Sequence, residues 1–295
     1  MERVREGWYE RNEIQKVTLD WVKTNCILTE REEQLLKIIY DRKLVRRDHL
    51  EIISESYRNA GLNKTILLNR AIKKMYKMMC LDKIHEVQEF GKGSKPCIVS
   101  IDKAGSLLLN VPHKKRILQN KTTYKGKDYI IRNLPSNYRH INGINQLEVK
   151  TILFCEEQGF EIVKWELEEP RHFTSNAENI KLIPDVLMII RIRGKPFVAF
   201  IEFDTGSEGL RQKEPVIIKD KIIKYKKYKS SNLWTNEDWQ KDMNAPMYPI
   251  VLFVTQDEKR VQFFNDKSKE LRVQGLGMYY ERYTDVLKGI TTLIK

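Results

Sequence analysis

Three acidic residues, Asp185, Glu202 and Asp204, border two apolar segments that otherwise have the composition of buried β-strands. Residues 186–192 and 197–203 are nearly continuous runs of aliphatic and aromatic side chains, which is typical of strands covered on both faces. Carboxylates at the ends of such strands are unusual, because burial in an apolar environment disfavours their charged form. These acids are therefore the first candidates for chemistry in this chain.

The register of the two strands follows from the turn between them. Residues 193–194, Arg-Gly, predict a two-residue hairpin loop. Ile192 then pairs with Lys195, and the same register places Asp185 opposite Glu202. The third acid shares a face with Glu202, because side chains alternate along a strand. We expect all three carboxylates at one end of one sheet.

A cluster of this kind needs compensation, because close carboxylates repel one another and uncompensated burial costs on the order of several kcal/mol. A hard divalent cation, Mg²⁺ or Mn²⁺, would supply it. Alternatively, Asp185 caps a turn after Pro184, and the other two acids are ion-paired with lysines. The hairpin taken by itself favours neither interpretation.

Composition restricts the class of protein. A chain of 295 residues with 41% hydrophobic and 32% charged residues is long enough for two domains with cores of their own. The excess of 53 Lys+Arg over 40 Asp+Glu gives a net charge of +13 and favours a polyanionic partner. Double-stranded DNA is preferred over a membrane, since the sequence has no long apolar run or amphipathic anchor.

Residues 1–12 are charged and lack the apolar core of a signal peptide, so we expect a cytoplasmic protein. Four widely spaced cysteines without a Cys-x-x-Cys pair argue against zinc and for reduced thiols.

The N-terminal half predicts three helices followed by two short strands. Thr29 and Glu32 form a capping box that begins the first helix, which ends near Lys43. The second helix is expected at residues 46–58, and the third at residues 63–79. Strands at residues 83–90 and 96–101, with a glycine-containing tip between them, complete a winged helix-turn-helix.

The third helix is the candidate DNA-recognition element, because every charged residue between Gly61 and Cys80 is positive. Ile66 is expected on its apolar side together with Leu67, Ala71 and Ile72. One-sided charge favours DNA binding over a merely solvated face or a protein-binding winged helix. The predicted DNA contacts are Asn63, Lys64, Thr65, Asn69, Arg70, Lys73 and Lys74 on the helix, with Lys92 and Lys95 on the wing.

The second half of the chain predicts a mixed sheet flanked by helices. From residue 114 to 150 there are nine Lys/Arg and two acids without strong periodicity, which indicates a basic linker. A helix at about residues 142–158 places Glu148 on an apolar face, where it either extends towards solvent or joins the carboxylate cluster. A further helix at residues 215–228 places Lys221 one turn from inward-facing neighbours on either side, so that it can reach the acids.

Further elements complete the predicted domain organisation. Strands are expected near residues 160–165 and 249–255, a last strand or helix near 261–264, and a closing helix at 280–294. The fold class is α+β. The expected segments are a leader at 1–28, a winged helix domain at 29–110, the basic linker at 111–139 and a domain with a mixed sheet flanked by helices at 140–295.

The order of these features resembles the Pro-Asp…(Asp/Glu)-X-Lys nuclease fold of restriction enzymes and resolvases. The matching features are a helix with Glu148, the dipeptide Pro184-Asp185, and Glu202 near the end of the next strand. Within that fold, the run at residues 202–208 and the later Lys221 are similar to the replication-relaxation family of plasmids and integrative elements.

Other features support the same resemblance, which covers most of the chain. Tyr225 and Tyr228 follow Lys221 on the same helix, as in that family. The family also has a winged helix before its nuclease-like domain and a histidine shortly before the first helix of that domain, which His140 matches. We interpret His140 as a supporting or structural histidine rather than a base.

The resemblance implies a mechanism of metal-dependent phosphodiester hydrolysis. Asp185 and Glu202, with Asp204, would hold Mg²⁺ or Mn²⁺; Lys221 would steady the developing charge, and Glu148 would support the metal or the lysine. The chain departs from the pattern at Asp204, because active nucleases of this fold have lysine there. Related enzymes carry this lysine on a neighbouring helix, which makes Lys221 the candidate replacement.

Two functions remain open from the sequence. One is a metal-dependent DNA-nicking or DNA-cleaving enzyme, and the other is a non-catalytic DNA-binding accessory protein that retains the fold. A transcriptional repressor is a third option from the winged helix alone. Replication or conjugation proteins are candidate partners, and a homodimer is an option that the sequence does not decide.

Overall fold

The structure is a computed structural model that describes residues 17–85, 95–124, 127–175, 178–206, 214–243 and 246–294. The chain divides into two compact units, residues 1–149 and 150–295. The predicted boundary at residue 140 lies inside the long helix Tyr138–Gln158, whose residues belong partly to each unit. Within the described ranges, no helix is long and apolar enough to cross a membrane.

Unit 1 consists mainly of helices around one small sheet. Its elements in chain order are α1 (Leu19–Asn25), α2 (Glu30–Arg42), β1 (Val45–Arg46), α3 (Arg47–Ile53), α4 (Glu55–Arg58), α5 (Lys64–Lys77), β2 (Leu81–Ile84), β3 (Ile98–Ile101), α6 (Lys103–Leu108), β4 (Leu118–Tyr124), β5 (Lys127–Asn133) and α7 (Tyr138–Gln158).

The first predicted helix is confirmed in detail. The Thr29 hydroxyl accepts a hydrogen bond from the Glu32 backbone N–H, and the Glu32 carboxylate accepts one from the Thr29 N–H, so the capping box is complete at α2. The helix ends at Arg42, with Lys43 at a positive φ of 64° at its C-cap. The second predicted helix is divided, because Ser54 adopts an extended conformation between α3 and α4.

Three short strands form the small sheet of unit 1. The sheet has the order β1-β3-β2 and both pairings are antiparallel. The predicted tip between the last two strands falls at residues 86–94, outside the described residues. Strand β1, only two residues long, was not predicted, because so short a segment carries no periodicity.

The buried face of helix α5 differs from the predicted one. Leu68, Ala71, Ile72, Met75 and Tyr76 are buried against unit 1. Ile66, which the sequence places on the apolar side, is instead 51% exposed. The outward face of α5 therefore includes an aliphatic residue among polar and basic ones.

Residues 111–139, predicted as an irregular basic linker, contain the antiparallel hairpin β4–β5. Arg132 on β5 donates to the Lys83 carbonyl over 2.8 Å and pairs with the buried carboxylate of Asp82. The hairpin is thus bonded to β2 of the small sheet. Its sequence is polar and basic rather than alternating, so the period-2 signal of a strand was absent.

Unit 2 is built on one five-stranded mixed sheet. Its elements in chain order are β6 (Glu161–Leu167), β7 (Arg171–Ser175), β8 (Glu178–Leu182), β9 (Val186–Ile192), β10 (Lys195–Asp204), α8 (Glu214–Ser231), β11 (Ile250–Thr255), α9 (Glu258–Leu271), β12 (Gly275–Tyr279) and α10 (Tyr283–Leu293). The strand order is β12-β11-β10-β9-β6, with β7 and β8 in a separate hairpin. Strand β10 is central, antiparallel to β9 and parallel to β11.

The predicted register of the central hairpin is confirmed. Ile192 pairs with Lys195 and Val186 with Ile201, so the next position along the same register brings Asp185 to the level of Glu202. Arg193 and Gly194 both have positive φ, 50° and 82°, as a two-residue hairpin turn of type I′ requires.

The helix after the hairpin covers the core of the sheet. Ile218, Ile222, Tyr225 and Tyr228 of α8 are buried with Phe200 and Val251 of the strands. Ile217, which precedes Lys221 by one turn and is one of its predicted inward-facing neighbours, is 47% exposed. Residues 261–264 belong to helix α9, which resolves the two options that the sequence left open. The hairpin β7–β8 and the edge strand β12 were not predicted, because the first is polar and the second is rich in glycine.

Candidate functional site

Two of the three predicted acids meet at the end of strands β9 and β10. Asp185 directly precedes β9 and is 8% exposed, while Glu202 on β10 is 2% exposed. The Phe203 backbone N–H donates to the Asp185 carboxylate over 2.7 Å. This bond fixes Asp185 against the neighbouring strand and leaves both acids in an almost water-free environment.

Helix α8 brings two donors to Glu202. The Lys221 ammonium group binds Oε2 of Glu202, and the Tyr225 hydroxyl donates to Oε1. Lys221 and Tyr225 are four residues apart, so they lie on one face of the helix, one turn from each other. Tyr225 is buried, whereas the Lys221 side chain is 40% exposed. The structure therefore brings together Asp185, Glu202 and Lys221.

The protonation chemistry of this cluster is unusual. Burial, reinforced by the charge of Asp185 and opposed by Lys221, raises the pKa of Glu202 to about 7. Burial works against the charge of Lys221, but Glu202 and Asp185 outweigh it and raise the pKa of its ammonium group. Burial and the adjacent Glu202 also raise the pKa of Tyr225, which stays a hydroxyl donor. Glu202 is thus the group of the cluster that gains or loses a proton near neutral pH.

Asp204 has separate partners from those of Glu202. Its carboxylate pairs with Arg260 of α9 and accepts a hydrogen bond from the Thr255 hydroxyl over 3.1 Å. Thr255 is the residue opposite Asp204 in the parallel pairing of β10 with β11. Arg260 reaches it because Asp257 caps the start of α9 just after β11. The basic residue that compensates Asp204 thus comes from α9, which the sequence left unassigned.

Glu148, for which the resemblance implies a supporting role, is bound in the structure by a residue of unit 1. It is 4% exposed, and both its oxygens accept hydrogen bonds from the guanidinium group of Arg42 in unit 1, one over 2.9 Å. Asn145, one turn earlier on α7, donates to the Leu44 carbonyl over 2.8 Å. Glu148 is therefore used to attach α7 to α2. His140 is a partly buried residue of the same helix.

The predicted DNA-binding residues divide into two groups in the structure. Lys64 and Thr65 contact Glu51, at 3.8 and 3.0 Å, and Lys74 binds Glu32 at 2.6 Å. These three are engaged within unit 1.

The others face solvent. The exposed members of the predicted set are Asn63, Asn69, Arg70, Lys73 and Lys95. Lys77, which follows Lys73 by one helical turn, is exposed as well. Lys92 lies outside the described residues. The exposed basic residues of α5 are therefore Arg70 and Lys73, which belong to the predicted set, and Lys77, which does not.

Residues 37–240 match the replication-relaxation family. The chain belongs to the replication-relaxation family. A search of curated proteins finds no match. Among solved structures, the chain is similar to protein VC1899 from Vibrio cholerae, at 11% identity and a TM-score of 0.31 over 94% of this chain and 61% of that one. It is also similar to the restriction endonuclease FokI bound to DNA, at 11% identity and a TM-score of 0.26 over 86% of this chain and 43% of that one. The chain thus spans less than two thirds of either structure.

In this replication-relaxation protein the donor set for a metal is smaller than predicted. The described residues contain no group of three or more His, Cys, Asp or Glu side chains that could hold a metal ion. Asp185 and Glu202 remain, and Mg²⁺ is commonly bound by one or two carboxylates with water and phosphate oxygens as its other ligands. The pair fits that pattern once Lys221 releases its Glu202 oxygen.

Two arginines of this replication-relaxation protein were not predicted from the sequence, although they fix the orientation of the carboxylates of Glu148 and Asp204. Arg42 and Arg260 lie 106 and 56 positions from their acidic partners. Sequence spacing cannot reveal pairings at such separations. The available signal is weaker: each arginine lies near one end of a helix that otherwise carries a regular apolar stripe.

Proposed function

We propose that this replication-relaxation protein binds double-stranded DNA through α5 of unit 1 and acts in the replication or transfer of plasmids or mobile elements. The observation that carries the proposal is the exposed basic stripe of α5. Arg70, Lys73 and Lys77 are spaced by three and four residues, so they lie on one face, and no described acid pairs with them. An unneutralised stripe of this kind suits the phosphate groups of DNA.

The arrangement of unit 1 supports the same proposal. Helices α2, α3 and α5 with the antiparallel sheet β1-β3-β2 have the element order of a winged helix, in which the third helix enters the major groove. The family's association with replication of plasmids or mobile elements agrees with a DNA ligand. Replication or conjugation proteins, and a second copy of this chain, are further proposed partners.

The salt dependence of DNA affinity tests this proposal. Each neutralised phosphate contributes about −0.9 to the slope of log affinity against log salt, so Arg70→Ala/Lys73→Ala should make the slope less steep by roughly two units. The matched control is Lys259→Ala/Lys269→Ala, which removes two exposed lysines of α9 in unit 2. An unchanged slope in the α5 variant, or equal changes in both variants, would contradict the proposal.

We propose as a second function that the cluster of Asp185, Glu202 and Lys221 nicks or cleaves DNA with Mg²⁺ or Mn²⁺. Asp185 and Glu202 would hold the ion. When bound, such an ion polarises a phosphate and lowers the pKa of its water. Lys221 is exposed enough to turn from Glu202 towards a phosphate oxygen and to stabilise the negative charge that develops there.

Incubation with supercoiled plasmid tests the second function. The wild type should convert it to open circles with Mg²⁺ or Mn²⁺ and not with EDTA, whereas Asp185→Ala and Lys221→Met should leave it intact. Arg260→Lys is the matched control, since it keeps a cation beside Asp204. If the wild type neither nicks the plasmid nor binds either ion, the cluster has a structural role and the DNA-binding function stands alone.

A further inference from the structure

Two aliphatic side chains are exposed where α5 begins. Leu62, in the short 3-10 turn before the helix, is fully exposed, and Ile66 in the first turns of the helix is 51% exposed. Other aliphatic residues of the helix, such as Leu68 and Ile72, are buried. Leu62 and Ile66 are therefore available to contact an apolar group of a ligand.

The position of Ile66 on the helix defines what lies beside it. Arg70 and Lys73 follow it by four and seven residues and are exposed, so the three side chains share one helical face. Asn63 precedes it by three residues and is exposed as well. The apolar side chain thus stands within the stripe whose positive charge favours DNA.

The two polar residues directly before Ile66 are already engaged. Lys64 and Thr65 both contact the carboxylate of Glu51, and Arg47 binds the same carboxylate over 2.6 Å. The exposed residues around the start of α5 are the polar Asn63 and Asn69 and the aliphatic Leu62 and Ile66. In the major groove the apolar group presented by the bases is the C5-methyl of thymine.

We propose that Ile66 is a specificity-determining residue that contacts the 5-methyl group of a thymine in the major groove, with Leu62 enlarging the apolar contact. The inference rests on the DNA-binding function proposed above and adds which base feature is read. Arg70 and Lys73 hold the helix on the phosphates, while Ile66 distinguishes thymine from the other bases.

A methyl-deletion cycle tests the inference. Wild-type protein is first used to select duplexes from a random-sequence library. Each thymine of one selected duplex is then replaced in turn by deoxyuridine, which lacks only the methyl group. Burial of one methyl group contributes about 0.8 kcal/mol, so one replacement should weaken wild-type binding about fourfold. Ile66→Ala should bind the thymine duplex about as weakly and should lose nothing more with deoxyuridine.

The control variant is Ile27→Ala, because Ile27 is an exposed isoleucine of unit 1 outside α5. It should keep the full deoxyuridine effect. Alanine is well tolerated in helices, so Ile66→Ala should fold, which circular dichroism checks.

The outcomes separate the two proposals. Failure to select any duplex would overturn DNA binding and this inference with it. Selected duplexes that lack thymine, or a deoxyuridine effect that is absent or equal in wild type and Ile66→Ala, would overturn only the role of Ile66. Sedimentation adds a last check. If Ile66→Ala separates copies of the chain and binds DNA normally, the exposed isoleucine serves self-association, and the inference is wrong.

Discussion

Glu148 and Glu202 are two buried glutamates, one in each unit, that are stabilised in different ways. Both are less than 5% exposed, and burial raises the pKa of both carboxyl groups against the opposing charge of a nearby cation. Arg42 binds both oxygens of Glu148 with one planar guanidinium group. Glu202 instead shares its two oxygens between Lys221 and Tyr225.

The two glutamate pairs also differ in how exposed the cation is. The Arg42 side chain is 11% exposed, while that of Lys221 is 40% exposed. The guanidinium group of arginine is a planar, rigid fork of donors, whereas the lysine ammonium group is a point charge on a flexible chain. Arg42 and Glu148 therefore form a closed structural pair. Lys221 instead holds Glu202 through a flexible, partly exposed side chain, so its ammonium group is less constrained.

The largest expected loss of stability comes from breaking the pair of Arg42 and Glu148. Arg42→Met leaves Glu148 buried without its counter-charge, and such losses cost about 3–5 kcal/mol in the free energy of unfolding. Urea denaturation of the variant and the wild type measures the difference. Arg42→Met/Glu148→Met is the control and should recover most of the stability, since a buried pair can be replaced by apolar residues of similar volume. A loss below about 1 kcal/mol in the single variant would show that Glu148 reaches water or another donor.

A smaller loss of unfolding free energy is expected when Glu202 loses the hydroxyl group that donates to it. Tyr225→Phe keeps the buried ring but removes the donor to Glu202, and a hydrogen bond to a charged group contributes about 1.5–3 kcal/mol. The same denaturation experiment measures it at a pH well above 7, where Glu202 is ionised. Tyr283→Phe is a matched control, because the partners of that buried hydroxyl among the described residues are neutral, Thr151 and the sulphur of Met188. An equal loss in both variants would mean that Glu202 carries no charge in the folded protein.

The contrast between the two glutamates could be predicted only in part. The hairpin, its turn and the alignment of Asp185 with Glu202 follow from local rules, because alternation and a two-residue turn fix the register. Lys221 was found in the same way, since helical spacing relates it to Tyr225. Local rules do not reach Arg42 or Arg260, which meet their acids only after distant elements have packed together.

Helix α5 shows a second limit of sequence reasoning. The periodicity predicts the helix itself, but its apolar residues cover more than one face, and the sequence assigns Ile66 to the wrong one. Tertiary packing selects Leu68 and Tyr76 for the core instead. Likewise, the three carboxylates share one face of the hairpin, yet Asp204 is neutralised by a different helix from the one that serves Glu202. The choice of partner depends on the packing of α8 and α9 and not on the strand itself.

The smallest expected effect is a change in how stability depends on pH, measured with EDTA present. The pKa of Glu202 is about 7 in the folded protein and near 4.5 when unfolded, so the folded state holds its proton more tightly. Its favourable contribution is complete below pH 4.5 and is lost as the pH rises through 7. The unfolding free energy of the wild type relative to Glu202→Gln should therefore fall between pH 5 and 7.5, by less than the roughly 1.4 kcal/mol per pH unit of a whole proton. In a Lys221→Met background the fall should extend to higher pH, because the cation that favours ionised Glu202 is gone. A difference that stays level across this range would show that Lys221 holds Glu202 ionised throughout.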